Sequence, residues 1–253
     1  MGAERDSRER RATIMADDAK KDGAKPKGEA PADYLEHRKR LRERFLRDGG
    51  ESFADYELLE LLLCLAIPRR DVKPLAKALI KKFGSFAAAV AADPAALRAV
   101  DGVGDATIAA LKLARASALR LSLEQTMKRD VVSSWQALID YCRTSIAFSG
   151  VEEFHVLFLD GKNAVIAAER QQTGTVNHAP VYPREVMKRA LELGAQAMIV
   201  VHNHPSGDPT PSDADIAMTR DLRAAADHLG LVLHDHLIIA RGGHASFRTL
   251  GLL

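Results

Sequence analysis

Two histidines two residues apart, His202 and His204, close an apolar run, and a carboxylate, Asp215, follows in the opening turn of a predicted helix. On extended backbone, residues i and i+2 project to the same side, so both imidazoles share one face. The intervening Pro/Gly-rich loop, Pro205 to Pro211, is long enough to fold back and bring the carboxylate to them. Two imidazoles and one carboxylate, with no thiolate, suit a single catalytic Zn²⁺ whose fourth position is left to water. The same set also holds Fe(II). Taken singly, each residue has a plainer reading: a histidine at a strand end is usually just a satisfied polar group, and Ser212 with Asp215 has the spacing of a capping box. The conjunction of His-x-His, a ten-residue gap and Asp, with Ser three positions before it, exceeds cap chemistry alone.

Zinc lowers the pKa of its water to near ~7, but a positioned base must still take the proton. Glu152 and Glu153 stand just before the predicted strand Phe154 to Leu159. Adjacent strand residues face opposite ways, so only one of the two can serve. A second histidine pair, His234 and His236, shares a face of the predicted strand Leu231 to Ala240. It lies mid-strand, with no carboxylate following at useful spacing, and is read as structural or as support for the ligands. His178 and His244 fall in loops and are expected to be solvated.

A different chemistry is suggested by Val100-Asp101-Gly102-Val103-Gly104-Asp105-Ala106 between two predicted helices, which has the form of a helix-hairpin-helix turn. Gly102 and Gly104 permit a tight turn with positive φ. The amides entering the next helix can then hold a DNA phosphate. Asp101 and Asp105 flank the turn and oppose this, so a hairpin used only for packing or protein contacts carries equal weight.

The elements that must position these groups fall into two sets. Helical patterns run over Tyr34 to Arg47, Asp55 to Ile67, Asp71 to Phe83, Ser85 to Ala92, Asp93 to Val100 and Thr107 to about Met127. Capping residues, Pro near the starts and Gly after the ends punctuate them. Beyond residue 130, strand-length apolar runs at Val156 to Leu159, Ala164 to Glu169, Ala197 to Val201 and Leu231 to Ala240 alternate with helical patterns at Pro183 to Leu193 and Ser212 to Leu229. Asp160-Gly161-Lys162-Asn163 is a hairpin signal between the first two strands. The expected organisation is a disordered tail over 1–30, a helical domain over 31–130 and an α/β domain over 131–253. The tail is too poor in large apolar groups to offset its ordering entropy.

The chain has 253 residues, and 36 Lys+Arg against 34 Asp+Glu leave a formal charge of +2, which excludes coating of nucleic acid by bulk charge. Only two cysteines occur, Cys64 and Cys142. They make neither a disulfide framework nor a thiolate site, which fits a reducing compartment. No apolar stretch is long enough to span a bilayer, and the first residues lack a signal peptide's apolar core. A cytoplasmic protein without membrane contact is expected.

His202-x-His204-x7-Ser212-x2-Asp215 resembles the JAMM (MPN+) motif of zinc metalloproteases and deubiquitinases. The fuller string His-Asn-His-Pro-Ser-Gly-Asp-Pro-Thr-Pro-Ser is similar to the RadC family, as are Phe158-Leu159-Asp160, Thr173-Gly174-Thr175-Val176, Tyr182-Pro183-Arg184-Glu185 and Asp235-His236. The Ser52 to Lys128 region resembles the helical N-terminal domain of that family. The resemblance implies an α/β (α+β) JAMM/MPN fold of the cytidine-deaminase-like kind, preceded by an all-α domain with a helix-hairpin-helix. It implies one Zn²⁺ per chain on His202, His204 and Asp215, with Ser212 hydrogen-bonding an oxyanion. The family's Glu-x-Phe pattern points to Glu152 as general acid/base. A zinc peptidase or isopeptidase acting on a protein or peptide is the activity so implied. The alternative is a DNA-repair-associated protein making non-specific DNA contact through its N-terminal domain.

Overall fold

The computed structural model describes residues 33–127, 131, 134–173 and 181–253. The expected tail over 1–30, the boundary near 130, the motif residues 174–176 and His178 lie outside these. By contact the chain separates into Met1–Arg40 and Leu41–Leu253. The first unit contributes the opening of helix α1 (Asp33–Asp48), where the Arg38 guanidinium lies 5.7 Å from the centroid of the Tyr34 ring.

In the second unit, α2 (Asp55–Ala66), α3 (Lys73–Phe83), α4 (Phe86–Ala91), α5 (Pro94–Arg98) and α6 (Asp105–Met127) form a helical cluster. Leu59, Leu63, Leu75, Leu79, Leu97 and Leu111 fill its centre. Three of the starts have a plain physical reason. Glu57 accepts from the Ala54 N–H ahead of α2, Ser85 caps α4, and Asp93 caps α5 just before Pro94.

The α/β part adds α7 (Trp135–Ile146), β1 (Glu153–Leu159), β2 (Val165–Thr173), α8 (Pro183–Glu192), β3 (Ala197–Asn203), α9 (Asp213–His228), β4 (Val232–Ala240) and β5 (Gly243–Ser246). Strand order is β2-β1-β3-β4-β5, with only the β3–β4 pair parallel. Helix α7 covers one face through Leu138, Ile139, Cys142 and Ile146. Helices α8 and α9 cover the other through Val186, Met187, Ala190, Leu222 and Ala226. Both faces of the central strand are therefore buried, which is why Ala197–Val201 reads as an unbroken apolar run.

Helix α7 and strand β5 were not anticipated from sequence, and β2 extends to Thr173 rather than stopping at Glu169. The Asp160 turn is as expected: the Asp160 carboxylate accepts from the amides of Lys162 and Ala164, and Asn163 takes a positive φ of 59°. One expectation is corrected. His234 and His236 do not share a face, because a bulge in β4 pairs Met198 with Leu233 but Ile199 with Asp235. The extra residue shifts the alternation. His234 meets the Asn163 side chain in the β1–β2 turn, while His236 is buried against His202.

Candidate metal centre

The parallel pair β3–β4 is connected through α9, and the carboxyl end of a strand in such a crossover is the usual place for a ligand. His202 sits in the last turn of pleat of β3, buried, its ring stacked 6.4 Å from that of Phe154 on β1. His204 lies just past the strand, where its N–H still bonds Ile239 O on β4. Its Nδ1 meets the Asp208 carbonyl at 2.9 Å, so the loop fixes the ring. A carbonyl only accepts, so Nδ1 carries the proton and Nε2 turns inward.

Asp215 arrives from the first turn of α9. Its N–H bonds Ser212 Oγ, and its carboxylate takes both the Ser212 amide and hydroxyl, at 2.8 and 2.6 Å. This closed capping box orients the carboxylate toward the histidines. Ser212 Oγ is thus engaged with Asp215, and donation to any oxyanion requires that bond to be released.

The three side chains converge. His202 Nε2 lies 3.0 Å from His204 Nε2 and 3.2 Å from Asp215 Oδ1, and His204 Nε2 lies 3.4 Å from Asp215 Oδ2. Among the described residues this is the one group of three or more His, Cys, Asp or Glu side chains close enough to hold a metal ion together. Tetrahedral donors at about 2.0–2.1 Å from an ion stand roughly 3.3–3.4 Å apart, so the spacing fits a small divalent cation. The electrostatics agree. Burial disfavours a charged Asp215, yet the facing His202 and His204, with Ser212, hold its carboxyl well below the usual range. Asp215 in turn raises His204. The donors pull strongly on any positive charge placed between them, proton or metal. The cysteines take no part: neither Cys64 nor Cys142 is in a disulfide, and burial pushes the Cys142 thiol up to about 12.

The two glutamates separate cleanly. Glu153 has its carboxylate committed to Ser149, His155 and Arg170. The hydrogen bond to His155 leads in holding it at about 2, against burial, with Ser149 and Arg170 adding to it. Glu152 acts electrostatically on His204. Glu152 stands just ahead of β1, two residues before Phe154, which pairs with His202.

Sequence reasoning missed Asn203. Regular β1–β3 pairing ends at Phe154–His202. Beyond it the buried Asn203 amide accepts from Glu153 N–H at 2.8 Å and donates to Val151 O at 3.0 Å, bracketing Glu152. A polar side chain between two ligands, facing the opposite side of the strand, was the available signal. The β4–β5 turn also braces the loop: Gly242 N–H bonds Gly207 O, and Arg241 bonds Pro205 O.

At the helical hairpin, Gly102 has a φ of +83° and Gly104 accepts the first turn of α6. Asp105 is paired with Arg98 at 2.6 Å, and Lys112 is spent on the carbonyls of Val90 and Ala92. The Arg70 guanidinium packs against Gly102.

Helices ahead of a mixed sheet, with His-x-His and Asp meeting at the end of β3, define a JAB-type fold carrying side chains that could hold a metal ion. The RadC-like JAB domain matches residues 132–252 and the UPF0758 N-terminal family matches 33–109. A UPF0758 protein of Rhodobacter capsulatus is 61% identical over 213 residues, 84% of this chain and all of the relative. One from Ruegeria pomeroyi is 55% identical over 223 residues, 88% of this chain and again all of the relative. The chain belongs to the UPF0758 (RadC) family. Among the described residues, no helix is long and apolar enough to cross a membrane.

Proposed function

We propose that the chain is a zinc-dependent hydrolase of peptide or isopeptide bonds, with one Zn²⁺ held by His202, His204 and Asp215. The observation that carries the reading is the convergence of three side chains, the two Nε2 atoms 3.0 Å apart and lying 3.2 and 3.4 Å from the two Asp215 carboxylate oxygens. Borderline imidazole with a carboxylate suits zinc, and three protein ligands are the number that open, catalytic sites use. Bound there, the ion supplies Lewis acidity and makes water a nucleophile near neutral pH.

The remaining work belongs to the protein. Glu152, whose charge acts on His204, takes the proton of the attacking water and delivers it to the departing amine nitrogen. Ser212, once its hydroxyl turns from Asp215, donates to the developing oxyanion. Asn203 keeps Glu152 in place from the other side of the strand. The test is a screen of the zinc-loaded full chain against peptide and isopeptide libraries. Zinc-dependent cleavage that falls about 10²- to 10⁴-fold in Glu152→Gln supports the reading. Cleavage undiminished in that variant refutes the role given to Glu152.

DNA contact through the hairpin is a second reading, favoured by the Arg70 cation lying against Gly102. Affinity that falls steeply with salt, and is lost in Arg70→Glu, supports it; no binding at low salt removes it.

A further inference from the structure

His202 has a second nitrogen, and its surroundings are unusually specific. His202 Nδ1 lies 2.7 Å from His236 Nε2 on β4, and His236 has no solvent exposure. His236 Nδ1 lies 2.6 Å from Thr219 Oγ1 on α9. Thr219 Oγ1 lies 2.6 Å from the backbone carbonyl of Asp215, one turn earlier. The chain therefore starts on one member of the donor triad and finishes on another, crossing β3, β4 and α9.

Its direction follows from what each atom can do. A carbonyl oxygen only accepts, so the single hydroxyl proton of Thr219 goes to Asp215. Thr219 Oγ1 must then accept from His236, which places a proton on His236 Nδ1. From the other end, a His202 that offers Nε2 to a cation keeps its proton on Nδ1. That proton lies between Nδ1 and His236 Nε2, which is left to accept. Each link then holds one proton, with no donor facing a donor.

We propose that Thr219 and His236 are positioning residues that lock His202 in its Nδ1–H form and aim its bare Nε2 at the metal. The device rests on the reading of His202 as a ligand. Outer partners of this kind set ring orientation and tautomer, and their loss commonly weakens metal binding about 10- to 100-fold. The carboxylate usually found behind a ligand histidine is replaced here by an imidazole and a hydroxyl. This imidazole–hydroxyl chain adds no formal charge, so Asp215 alone supplies the triad's negative charge.

The test uses the full chain, with two readouts. Long-range ¹H–¹⁵N NMR correlation on metal-free protein reads the tautomer of His202, and competition against a chromophoric chelator reads Zn²⁺ affinity. Thr219→Val preserves volume but removes the hydroxyl, so the chain can run backwards and place a proton on His202 Nε2. His236→Gln retains an acceptor for His202, whereas His236→Leu does not. Wild type and His236→Gln should show a single Nδ1–H His202 and zinc affinities within a few-fold of each other. Thr219→Val and His236→Leu should show mixed or reversed tautomers and affinity about 10- to 100-fold weaker. Should His236→Leu unfold, Thr219→Val alone decides. A folded Thr219→Val protein with an unchanged tautomer and wild-type affinity overturns the proposal, as does an Nε2–H His202 in wild type. If the tautomers shift as stated but wild type binds no zinc, the lock stands and the ligand reading falls.

Discussion

Asn203 reaches across the gap between β3 and β1 to accept the Glu153 main-chain N–H at 2.8 Å, at the first position where the two strands no longer pair through their backbones. Its amide takes over the ladder there. Two strands that must diverge to open a site mouth would otherwise strand buried polar groups.

Asn203→Leu leaves the Glu153 amide without its partner, while the Val151 carbonyl keeps the Ser149 hydroxyl, and an orphaned polar group costs about 1–3 kcal/mol. A loss of about 1–3 kcal/mol in urea unfolding is expected. Asn203→Ser, which retains a small polar group, should lose less. Equal stability of Asn203→Leu and wild type would show that the amide bonds contribute nothing.

Glu153 gives a pH signature. Its carboxyl is held at about 2, against an ordinary value of 4.5, by His155 first and then Ser149 and Arg170, opposed by burial. A lowered carboxylate stabilises the fold above its unfolded value and loses that contribution as pH falls toward the folded one. Glu153→Gln should therefore be less stable than wild type at pH 7, by about 2 kcal/mol. The gap should shrink between pH 4.5 and 2, as read by denaturant unfolding. A gap independent of pH would separate Glu153 from this ion-pair network.

His204 governs metal competition with protons. Asp215 raises it above 6.5 in the metal-free protein, with burial opposing. A ligand imidazole must be neutral, so protons compete up to that raised value. Zinc affinity should keep rising with pH beyond 6.5 and level off only above it. Titration by competition should place the plateau lower in Asp215→Asn, with weaker binding overall. A plateau already reached below pH 6 would contradict the Asp215–His204 coupling.

Gly242 is required by proximity. A Cβ there would stand 2.8 Å from Gly207 O, a backbone atom of the loop that carries Asp208 and so steadies His204. Gly242→Ala must displace that loop. A zinc affinity about 10-fold weaker is expected, by analogy with loss of an outer partner, with unfolding of the helical cluster little changed. Unaltered affinity would show that the brace has no hold on His204.

Much of the site was legible because its logic is local. The period of two puts His202 and His204 on one face, and a helix start puts Asp215 beside Ser212. What escaped depends on neighbours. The bulge at His234 is invisible in an alternating string, and it alone separates His234 from His236. Asn203 and Thr219 acquire meaning only through contacts with other elements, whereas support of the ligands by His236 was already expected. Helix α7 carries an apolar stripe at Leu138, Ile139, Cys142 and Ile146, but Ser134 makes no side-chain cap to announce it. Strand β5 is four residues long and begins at a glycine, too short for a pattern.

Metal analysis of the purified full chain tests the centre most directly. After zinc loading and desalting, wild type should retain close to one zinc per chain. His202→Ala and Asp215→Asn, still folded by circular dichroism, should retain almost none. Stoichiometric zinc surviving in both variants, or none in wild type, would contradict the assignment of His202, His204 and Asp215 as the metal's ligands.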